Sequence, residues 1–335
     1  MATFVMQSLG CEVAALNTVH FSNHTAYKQF TGTKATADEI RDIYDGLKQS
    51  YLNDFDMLLS GYIPNAEAVN VVGTIARDLK LKSSMKPGSF FWVLDPVMGD
   101  QGKLYVDEEV VPAYKNLLRD ADLILPNQYE AELLSSTPIT DLSSLTAAIT
   151  TLHQTYQIPH ILITSVRFPA TSPTLSIIGS TTRSSSPSSP ARIFKIDIPA
   201  IDCFFSGTGD MFAALIVARL REACTAAAAQ PDDGSLTSTK SWVSPDDVPA
   251  TELPLAKATE KVLASMQAVL GKTKDAMDVE LDGLGGELGV LDKEGGSEKR
   301  MHLRRTKAAE VRLVGNVREL KEPTVEHFAE ALEAS

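Results

Sequence analysis

Residues 204–220 read FFSGTGDMFAALIVARL, a glycine-rich turn that runs directly into an apolar helix. Gly207 and Gly209 let the backbone turn tightly and approach a ligand closely. The first amide groups of a helix have no partner inside the helix, so they form a favourable site for phosphate groups. Asp210 follows the turn, where a carboxylate can orient or deprotonate an incoming hydroxyl group. The alternative is an ordinary helix start capped by Thr208 or Asp210, and these residues alone leave both interpretations open.

Short apolar runs alternate with longer amphipathic stretches in the rest of the chain. The apolar runs predict strands at 13–16, 57–59, 90–94, 123–125, 161–163 and 175–178. Apolar residues at helical spacing predict helices over 36–52, 66–81, 127–134, 142–156 and 255–272. Strands that alternate with helices are typical of the α/β class. We therefore predict a central, mostly parallel sheet with helices on both faces.

Composition limits the classes of partner. The 335 residues carry a formal net charge of -12, which disfavours nucleic acid as a partner because its phosphates are repelled. No run of about 20 apolar residues is present, so we expect no membrane span. The first 21 residues lack the basic start and apolar block of a signal peptide. Three cysteines at spacings that match no metal motif predict reduced thiols in a cytosolic protein.

Three polar stretches interrupt the alternation. Residues 169–191 contain SSSPSSP and predict a surface loop that joins two strands. Residues 226–254 and 275–299 are rich in Gly, Ser, Pro and acidic residues. All three compositions are typical of flexible insertions. Since none of them separates two self-sufficient cores, we predict one domain over residues 1–335.

Oxygen-bearing side chains follow four of the predicted strands, at residues 60–62, 95–100, 126–130 and 164–165. In open parallel sheets, ligands bind outside the carboxyl ends of the strands. Hard cations prefer oxygen ligands, so Asp95 and Asp100 are candidates for holding Mg²⁺ together with phosphate groups. Alternatively, Asp95 only ends a strand, and Asn127 and Glu130 only cap the helix that follows.

An aromatic side chain flanked by small polar residues occurs in the segment NTVHFSNHT at residues 17–25. Phe21 could stack on a flat heteroaromatic ring while nearby hydroxyl groups bond its substituents. His20 and His24 lie four residues apart, but they lack the further nitrogen or thiolate partners of a zinc site.

These motifs together resemble the pyridoxal kinase family, in its eukaryotic form, within the ribokinase-like superfamily. The stretches that match are AALNTVHFSNHTAYKQFTG, LLSGYIPN, VLDPVMGDQGKLYV, LILPNQYEAELLS, ILITS and FFSGTGDMFAALI, in the family's order. FSNHT combined with DPVMGD, PNQxEAELL and GTGD is specific to this family. Related hydroxymethylpyrimidine kinases share the GTGD-type and DPV elements, but they lack FSNHT in this context.

The resemblance implies a ribokinase-like three-layer fold and ATP-dependent phosphorylation of the 5′-hydroxymethyl group of pyridoxal, pyridoxine and pyridoxamine. Mg²⁺ or another divalent cation, and K⁺ or Na⁺, are implied alongside ATP. The family also implies a homodimer in the cytoplasm, with the nucleus as a second location, and the small-molecule substrates as the other partners.

The same resemblance implies roles for individual positions. Asp210 would be the catalytic base and contact the substrate, with the amides of Gly207, Thr208 and Gly209 as the anion hole. ATP would contact Asp95, Asp100, Tyr105, Asn127, Glu130, Thr164 and Ser165, and of these Asp95, Glu130 and Thr164 would also hold the metal. The pyridoxal ring would contact Val19, Phe21, Thr25 and Tyr62, and the helix predicted at 255–272 would border the adenine.

Two departures from the family pattern carry expectations of their own. The family has a strand and a stretch like QSHVxxGYVGNxAATF, of which this sequence holds only the end, ATF at residues 2–4. Loss of an interior strand leaves backbone groups unpaired, so we expect weaker folding and weaker pyridoxal binding. Leu125 stands where the family often has Thr, so we expect a different dependence on monovalent cations.

Two alternatives remain beside pyridoxal kinase activity. A hydroxymethylpyrimidine-type kinase would use the same chemistry on another small alcohol. A non-catalytic nucleotide- or vitamer-binding protein is suggested by the short amino-terminal motif. A protein that catalyses no reaction, however, has no physical need for an anion hole and a base together.

Overall fold

The computed structural model describes residues 1–184, 189–227, 235–283 and 297–332. Its strands are β1 (Val19–Phe21), β2 (Gly32–Lys34), β3 (Met57–Ser60), β4 (Phe91–Leu94), β5 (Gly99–Asp100), β6 (Lys103–Leu104), β7 (Leu123–Ile124), β8 (His160–Val166), β9 (Thr174–Thr181), β10 (Arg192–Pro199) and β11 (Glu330–Leu332). Its helices are α1 (Ala2–Ser8), α2 (Ala37–Gln49), α3 (Ala66–Lys82), α4 (Val110–Leu117), α5 (Gln128–Ser135), α6 (Leu142–Tyr156), α7 (Thr208–Ala227), α8 (Pro254–Gly283), α9 (Ser297–Ala308) and α10 (Val317–Lys321).

A seven-stranded sheet in the order β11-β10-β9-β8-β7-β4-β3 forms the centre of the described structure. The four neighbours β3, β4, β7 and β8 run parallel, whereas β9, β10 and β11 continue the sheet antiparallel. Two antiparallel ribbons, β1-β2 and β5-β6, stand apart from it. The α/β prediction is confirmed, and the parallel strands are the ones whose ends carry the predicted site residues.

Alternate residues of the central strands enter two different cores, because successive side chains of a strand point to opposite faces. Phe91 and Val93 pack in a core with α1, α7 and α8. Trp92 and Leu94 pack in a second core with α2 to α6. The sheet therefore has helices on both faces, as the alternation of strands and helices predicted.

The strand predicted at residues 13–16 is wrong, because this segment has no regular secondary structure. Apolar residues specify a strand only where a neighbouring strand pairs with their backbone. The backbone of residues 13–16 joins no ladder of the described sheets. The short apolar run correctly indicates that Val13 and Leu16 are half-buried. It does not indicate that their backbone pairs with another strand.

The ranges that we predicted as flexible insertions contain regular or packed structure where they are described. Residues 174–181 form β9, which pairs on both sides, and residues 275–283 continue α8. In the range 226–254, the ring of Trp242 stacks on Phe91 with 4.3 Å between centroids. The hydroxyl group of Ser241 donates to Asp122 at 2.6 Å. Residues 185–188, 228–234 and 284–296 lie outside the described residues.

None of the helices in the described ranges combines the length and the apolar content that a membrane span requires.

Candidate active site

A cleft opens at the carboxyl ends of the parallel strands, beside the first turn of α7. Parallel strands bring their carboxyl ends to one edge of the sheet, where ligands bind in open α/β folds. The residues that line the cleft are Asp95, Val97, Gly99, Tyr105, Leu125, Asn127, Glu130, Thr164, Gly209 and Phe212. Six of them were predicted as site residues from the sequence, so the predicted strand ends do converge.

Asp95 and Glu130 are two buried carboxyl groups in the cleft wall, with 7% and 3% of their surface exposed. Burial, together with the charges of Glu130 and Asp210, raises the pKa of Asp95 well above its ordinary value. Burial raises the pKa of Glu130 to about 7, although three backbone amides that donate to its carboxylate oppose the shift. The wall therefore gains stability from any cation that balances these carboxylates.

Glu130 and Asn127 hold the start of the β5-β6 hairpin against α5. Glu130 accepts from the amides of Met98 and Gly99 at 2.8 and 3.3 Å. The side-chain amide of Asn127 donates to the carbonyl of Gly99 at 2.7 Å. Asn127 and Glu130 also form a reciprocal cap on α5, so the predicted capping role is real as well. The hairpin that carries Asp100 and leads to Tyr105 is thus fixed at its base, while Tyr105 itself is 63% exposed.

The glycine-rich turn delivers Asp210 to the mouth of the cleft. Gly207 has φ +82°, a backbone conformation that L side chains rarely adopt. A side-chain carbon at Gly209 would lie 3.9 Å from the carboxylate of Asp95, and one at Gly61 would lie 3.8 Å from that of Asp210. Asp210 remains exposed, so a ligand can reach it. The dense protein around it still raises its pKa, against the opposing charge of the amino group of Met1.

The carboxylates can hold a divalent cation only with help from other oxygens. The described residues contain no group of three or more His, Cys, Asp or Glu side chains that could hold a metal ion. Asp95 and Glu130 supply two carboxylates, and Thr164 supplies a hydroxyl group in the same cleft. Mg²⁺ typically takes one or two protein carboxylates and completes its shell with phosphate oxygens and water, so this donor set fits it.

Comparison with known proteins identifies the family. The model of the phosphomethylpyrimidine kinase family matches residues 13–232. A putative pyridoxal kinase of Schizosaccharomyces pombe is 36% identical over 277 residues, which are 82% of this chain and 80% of the relative. The chain belongs to the pyridoxal kinase family. Human pyridoxal kinase is 36% identical over 225 residues, 65% of this chain and 70% of the human one.

Solved pyridoxal kinases share the fold of this family member. The enzyme of Leishmania donovani in complex with ADP and pyridoxamine superposes with a TM-score of 0.74 and 27% identity, over 99% of this chain and 93% of that chain. The fold is therefore ribokinase-like, as the sequence motifs implied. The same enzyme in complex with ADP and pyridoxine gives the same TM-score at 28% identity.

The residues expected at the pyridoxal ring are not among those that line this cleft. Val19 and Phe21 belong to β1, and Thr25 lies in the exposed turn that follows. The hydroxyl group of Thr18 donates to the carbonyl of Tyr62 at 2.7 Å. Tyr62 follows Gly61, whose neighbour is Asp210. The start of β1 is therefore tied, through Thr18 and Tyr62, to the segment that lies next to Asp210.

The cleft also contains apolar residues that the sequence did not mark as ligand contacts, although Leu125 was noted there for its effect on monovalent cations. Val97, Leu125 and Phe212 form an apolar side. Tyr114 is fully buried on α4, its hydroxyl group lies 3.4 Å from the carbonyl of Gly61, and burial together with the charges of Asp95 and Glu130 raises its pKa. Tyr114 does not itself line the cleft, and no motif marks it, because its place beside Gly61 depends on how α4 packs. Asp100 and Ser165 adjoin lining residues and do not themselves line the cleft.

Proposed function

We propose that this member of the pyridoxal kinase family transfers the γ-phosphate of ATP to the 5′-hydroxymethyl group of pyridoxal, pyridoxine and pyridoxamine. One observation carries the proposal. An exposed carboxylate, Asp210, stands on the first turn of a long helix, next to a glycine turn and to the buried carboxylates of the cleft. This arrangement offers a base and an anion site side by side.

Different residues of the chain would have different roles in the transfer of the phosphoryl group. Asp210 orients the substrate hydroxyl group and accepts its proton as the bond to phosphorus forms. The amides of Gly207, Thr208 and Gly209 donate to the oxygens of the phosphoryl group in transfer, since the first helical amides point out of the helix. Tyr105 and the β5-β6 hairpin cover the nucleotide and limit the access of water.

A divalent cation fits this scheme. Asp95, Glu130 and the hydroxyl group of Thr164 would hold Mg²⁺, which supplies positive charge to the nucleotide phosphates when bound. A monovalent cation, K⁺ or Na⁺, would bind nearby, and Leu125 would offer it no side-chain oxygen. We extend the proposal to a homodimer that works in the cytoplasm, with the nucleus as a second location.

A second substrate class has an observation in its favour. The family model that matches the chain is that of phosphomethylpyrimidine kinase, so a hydroxymethylpyrimidine could be the acceptor. Both substrates are flat heteroaromatic alcohols, and the glycine turn and Asp210 would act identically on either of them. The choice between them depends on the ring contacts of β1 and Tyr62.

The first experiment measures ATP-dependent phosphorylation of pyridoxal, pyridoxine, pyridoxamine and hydroxymethylpyrimidine by the wild type and by Asp210→Asn. We expect pyridoxal 5′-phosphate to form. We expect kcat to fall about 10²- to 10⁴-fold in the variant, the contribution of a general base, with nucleotide affinity unchanged. Asp202→Asn, an exposed aspartate ahead of the turn, is the matched control with full activity.

The outcomes separate the three functions. A higher kcat/KM for hydroxymethylpyrimidine would make the chain a pyrimidine kinase. Nucleotide binding without phosphorylation of any of the four alcohols would make it a binding protein. Full activity of Asp210→Asn would remove Asp210 from the mechanism.

A further inference from the structure

A closed loop joins β1 to β2, and we name residues 22–31 the tip loop. The amide of Ser22 donates to the carbonyl of Thr31 at 2.8 Å. The side chain of Asn23 donates to the carbonyl of Gln29 at 2.7 Å. These bonds fix the shape of the loop from within, so the loop moves as a unit with the ribbon that carries it.

The carboxy-terminal part of the chain holds this loop from outside. The hydroxyl group of Tyr27 donates to Oε1 of Glu310 at 2.9 Å. Nε2 of His24 lies 3.1 Å from the same oxygen. Nε2 of His302, on α9, donates to the carbonyl of Ala26 at 2.9 Å. Burial and the bond to Glu310 raise the pKa of Tyr27 to about 12, so Tyr27 is a proton donor throughout the neutral range.

Arg312, two residues after Glu310, is tied to α8 by two bonds. The amide of Arg312 donates to the hydroxyl group of Thr273, on α8, at 3.2 Å. The guanidinium of Arg312 lies 2.9 Å from the carboxylate of Glu280, also on α8. Buried residues of α8 and of α7 belong to one core, and α7 carries Asp210. The segment that holds the tip loop is therefore connected, through Arg312 and α8, to the core that also contains α7.

The β1-β2 ribbon depends on such contacts for its position. It has three residues in each strand and lies outside the central sheet, and an isolated two-stranded ribbon is marginally stable in water. Near the cleft, Thr18 fixes the start of the ribbon to Tyr62. At the far end, Glu310 and His302 hold the tip loop. Val19 and Phe21 lie between the two anchors.

We propose that Glu310 and His302 are positioning residues for the acceptor substrate. By holding the tip loop they set where Phe21, at the end of β1, and Thr25, in the loop itself, meet a flat heteroaromatic alcohol, and nucleotide binding does not depend on them. The proposal rests on the proposed function, because it names part of the acceptor side of the same site. It assigns to residues beyond the matched range 13–232 a role in substrate affinity.

The test compares Glu310→Ala, Glu310→Gln and wild type in steady-state kinetics and in hydrogen exchange. Since the side chain of Glu310 is 51% exposed, the loss of its bonds should raise the KM for pyridoxal about three- to tenfold. The KM for ATP should stay unchanged, and amide exchange in residues 24–29 should rise. Glu310→Gln keeps an oxygen that can accept from Tyr27, so it should recover part of the affinity.

Glu322→Ala is the matched control, because Glu322 follows α10 directly and its ion pair is with Arg318 of that helix, not with the tip loop. The proposal is overturned if Glu310→Ala leaves the exchange of residues 24–29 unaltered, or if it raises the KM values for pyridoxal and ATP alike. If the wild type does not phosphorylate pyridoxal, the proposed function fails on its own. The exchange data then decide whether Glu310 anchors the tip loop. Higher exchange of residues 24–29 in Glu310→Ala supports this role, and unchanged exchange overturns it.

Discussion

Glu130 has three roles at the residue scale, since it is at once part of a helix cap, the acceptor for the hairpin amides and a candidate metal ligand. Its two carboxylate oxygens accept different bonds, Oε1 from the amides of Met98 and Gly99 and Oε2 from the amide of Asn127. Its place beside Asp95 makes its charge costly, because two buried carboxylates repel each other. A glutamine would offer only one acceptor oxygen, so these contacts themselves favour a carboxylate, and the same carboxylate lines the cleft, where it is a candidate metal ligand.

The raised pKa of Glu130 predicts a specific pH dependence of stability. The group binds its proton more tightly in the folded state, with a pKa of about 7 against an ordinary 4.5. Its contribution is therefore complete below pH 4.5 and is lost as the pH rises through 7. Between pH 5 and 7.5, the free energy of unfolding should decrease less in Glu130→Gln than in the wild type. The two decreases should differ by roughly 1–3 kcal/mol.

Urea unfolding at each pH, in the absence of nucleotide and metal, measures that difference. His153 and His160 act in the opposite direction, because burial lowers the pKa of each to about 4. Their contribution is lost as the pH falls from 6.5 to 4, and it cancels in the difference between wild type and variant. Parallel pH profiles for the two proteins would show that Glu130 is not protonated in the folded state.

The sequence predicts those site residues that follow directly from a strand or a glycine turn. Asp95, Asn127 and Glu130 come after apolar strands, and the parallel sheet brings them together without further information. Tyr114 could not be found in this way, because its place depends on how α4 packs. Phe212 reads in the sequence as one more apolar residue of a buried helix, although it lines the cleft.

At the element scale, Trp242 and Ser241 anchor a segment whose composition is typical of a flexible insertion. Both residues have positive φ, +52° for Trp242 and +53° for Ser241. The indole N–H of Trp242 donates to the carbonyl of Gly88 at 2.9 Å, and 4% of the residue is exposed. Two anchoring side chains thus outweigh a polar composition, because the indole of Trp242 buries a large apolar area and the hydroxyl group of Ser241 bonds the buried Asp122.

Trp242→Ala should therefore destabilise the protein by about 3–5 kcal/mol, the usual cost of removing a buried Trp side chain. Chemical denaturation with intrinsic fluorescence and circular dichroism measures the free energy of unfolding. Val314→Ala, at a residue that is 77% exposed, is the control and should change it by less than about 0.5 kcal/mol. A loss below 1 kcal/mol in Trp242→Ala would mean that the segment is held elsewhere.

The sequence predicts some elements of the sheet better than others. β4 and β7 differ from their predicted bounds by one residue, because continuous apolar runs mark strands that are buried on both faces. β10 was not predicted, although Ile196 and Ile198 alternate with polar residues in the half-buried pattern. β11 has three residues and no signal of its own, so its place depends on its pairing with β10.

At the scale of the whole molecule, the cleft joins parts that are far apart in the sequence. Asp95 follows β4, Glu130 lies on α5, Thr164 lies on β8 and Gly209 lies on α7. The two cores share the central sheet. A ligand in the cleft therefore contacts structure that depends on both cores.

We expect Mg²⁺ and ADP to raise the midpoint of a single thermal transition. At a ligand concentration about 100 times Kd, linkage gives roughly 2.7 kcal/mol, which corresponds to an increase of roughly 5 °C. Differential scanning calorimetry measures it, with ADP and EDTA as the control. Two transitions, of which only one moves, would show that the cores unfold separately and would contradict the one-domain prediction.

Val97, Leu125 and Phe212 give the cleft apolar lining in addition to its carboxylates. In terms of inhibitor design, this apolar lining is a place for selectivity. A methyl group that is buried there gains about 0.8 kcal/mol, which is nearly fourfold in affinity. A relative with a threonine hydroxyl group in place of Leu125 would lose part of that gain, because the hydroxyl group would lose water without a new partner. A nucleotide analogue that carries the methyl group toward Leu125 would thus distinguish this protein from such relatives.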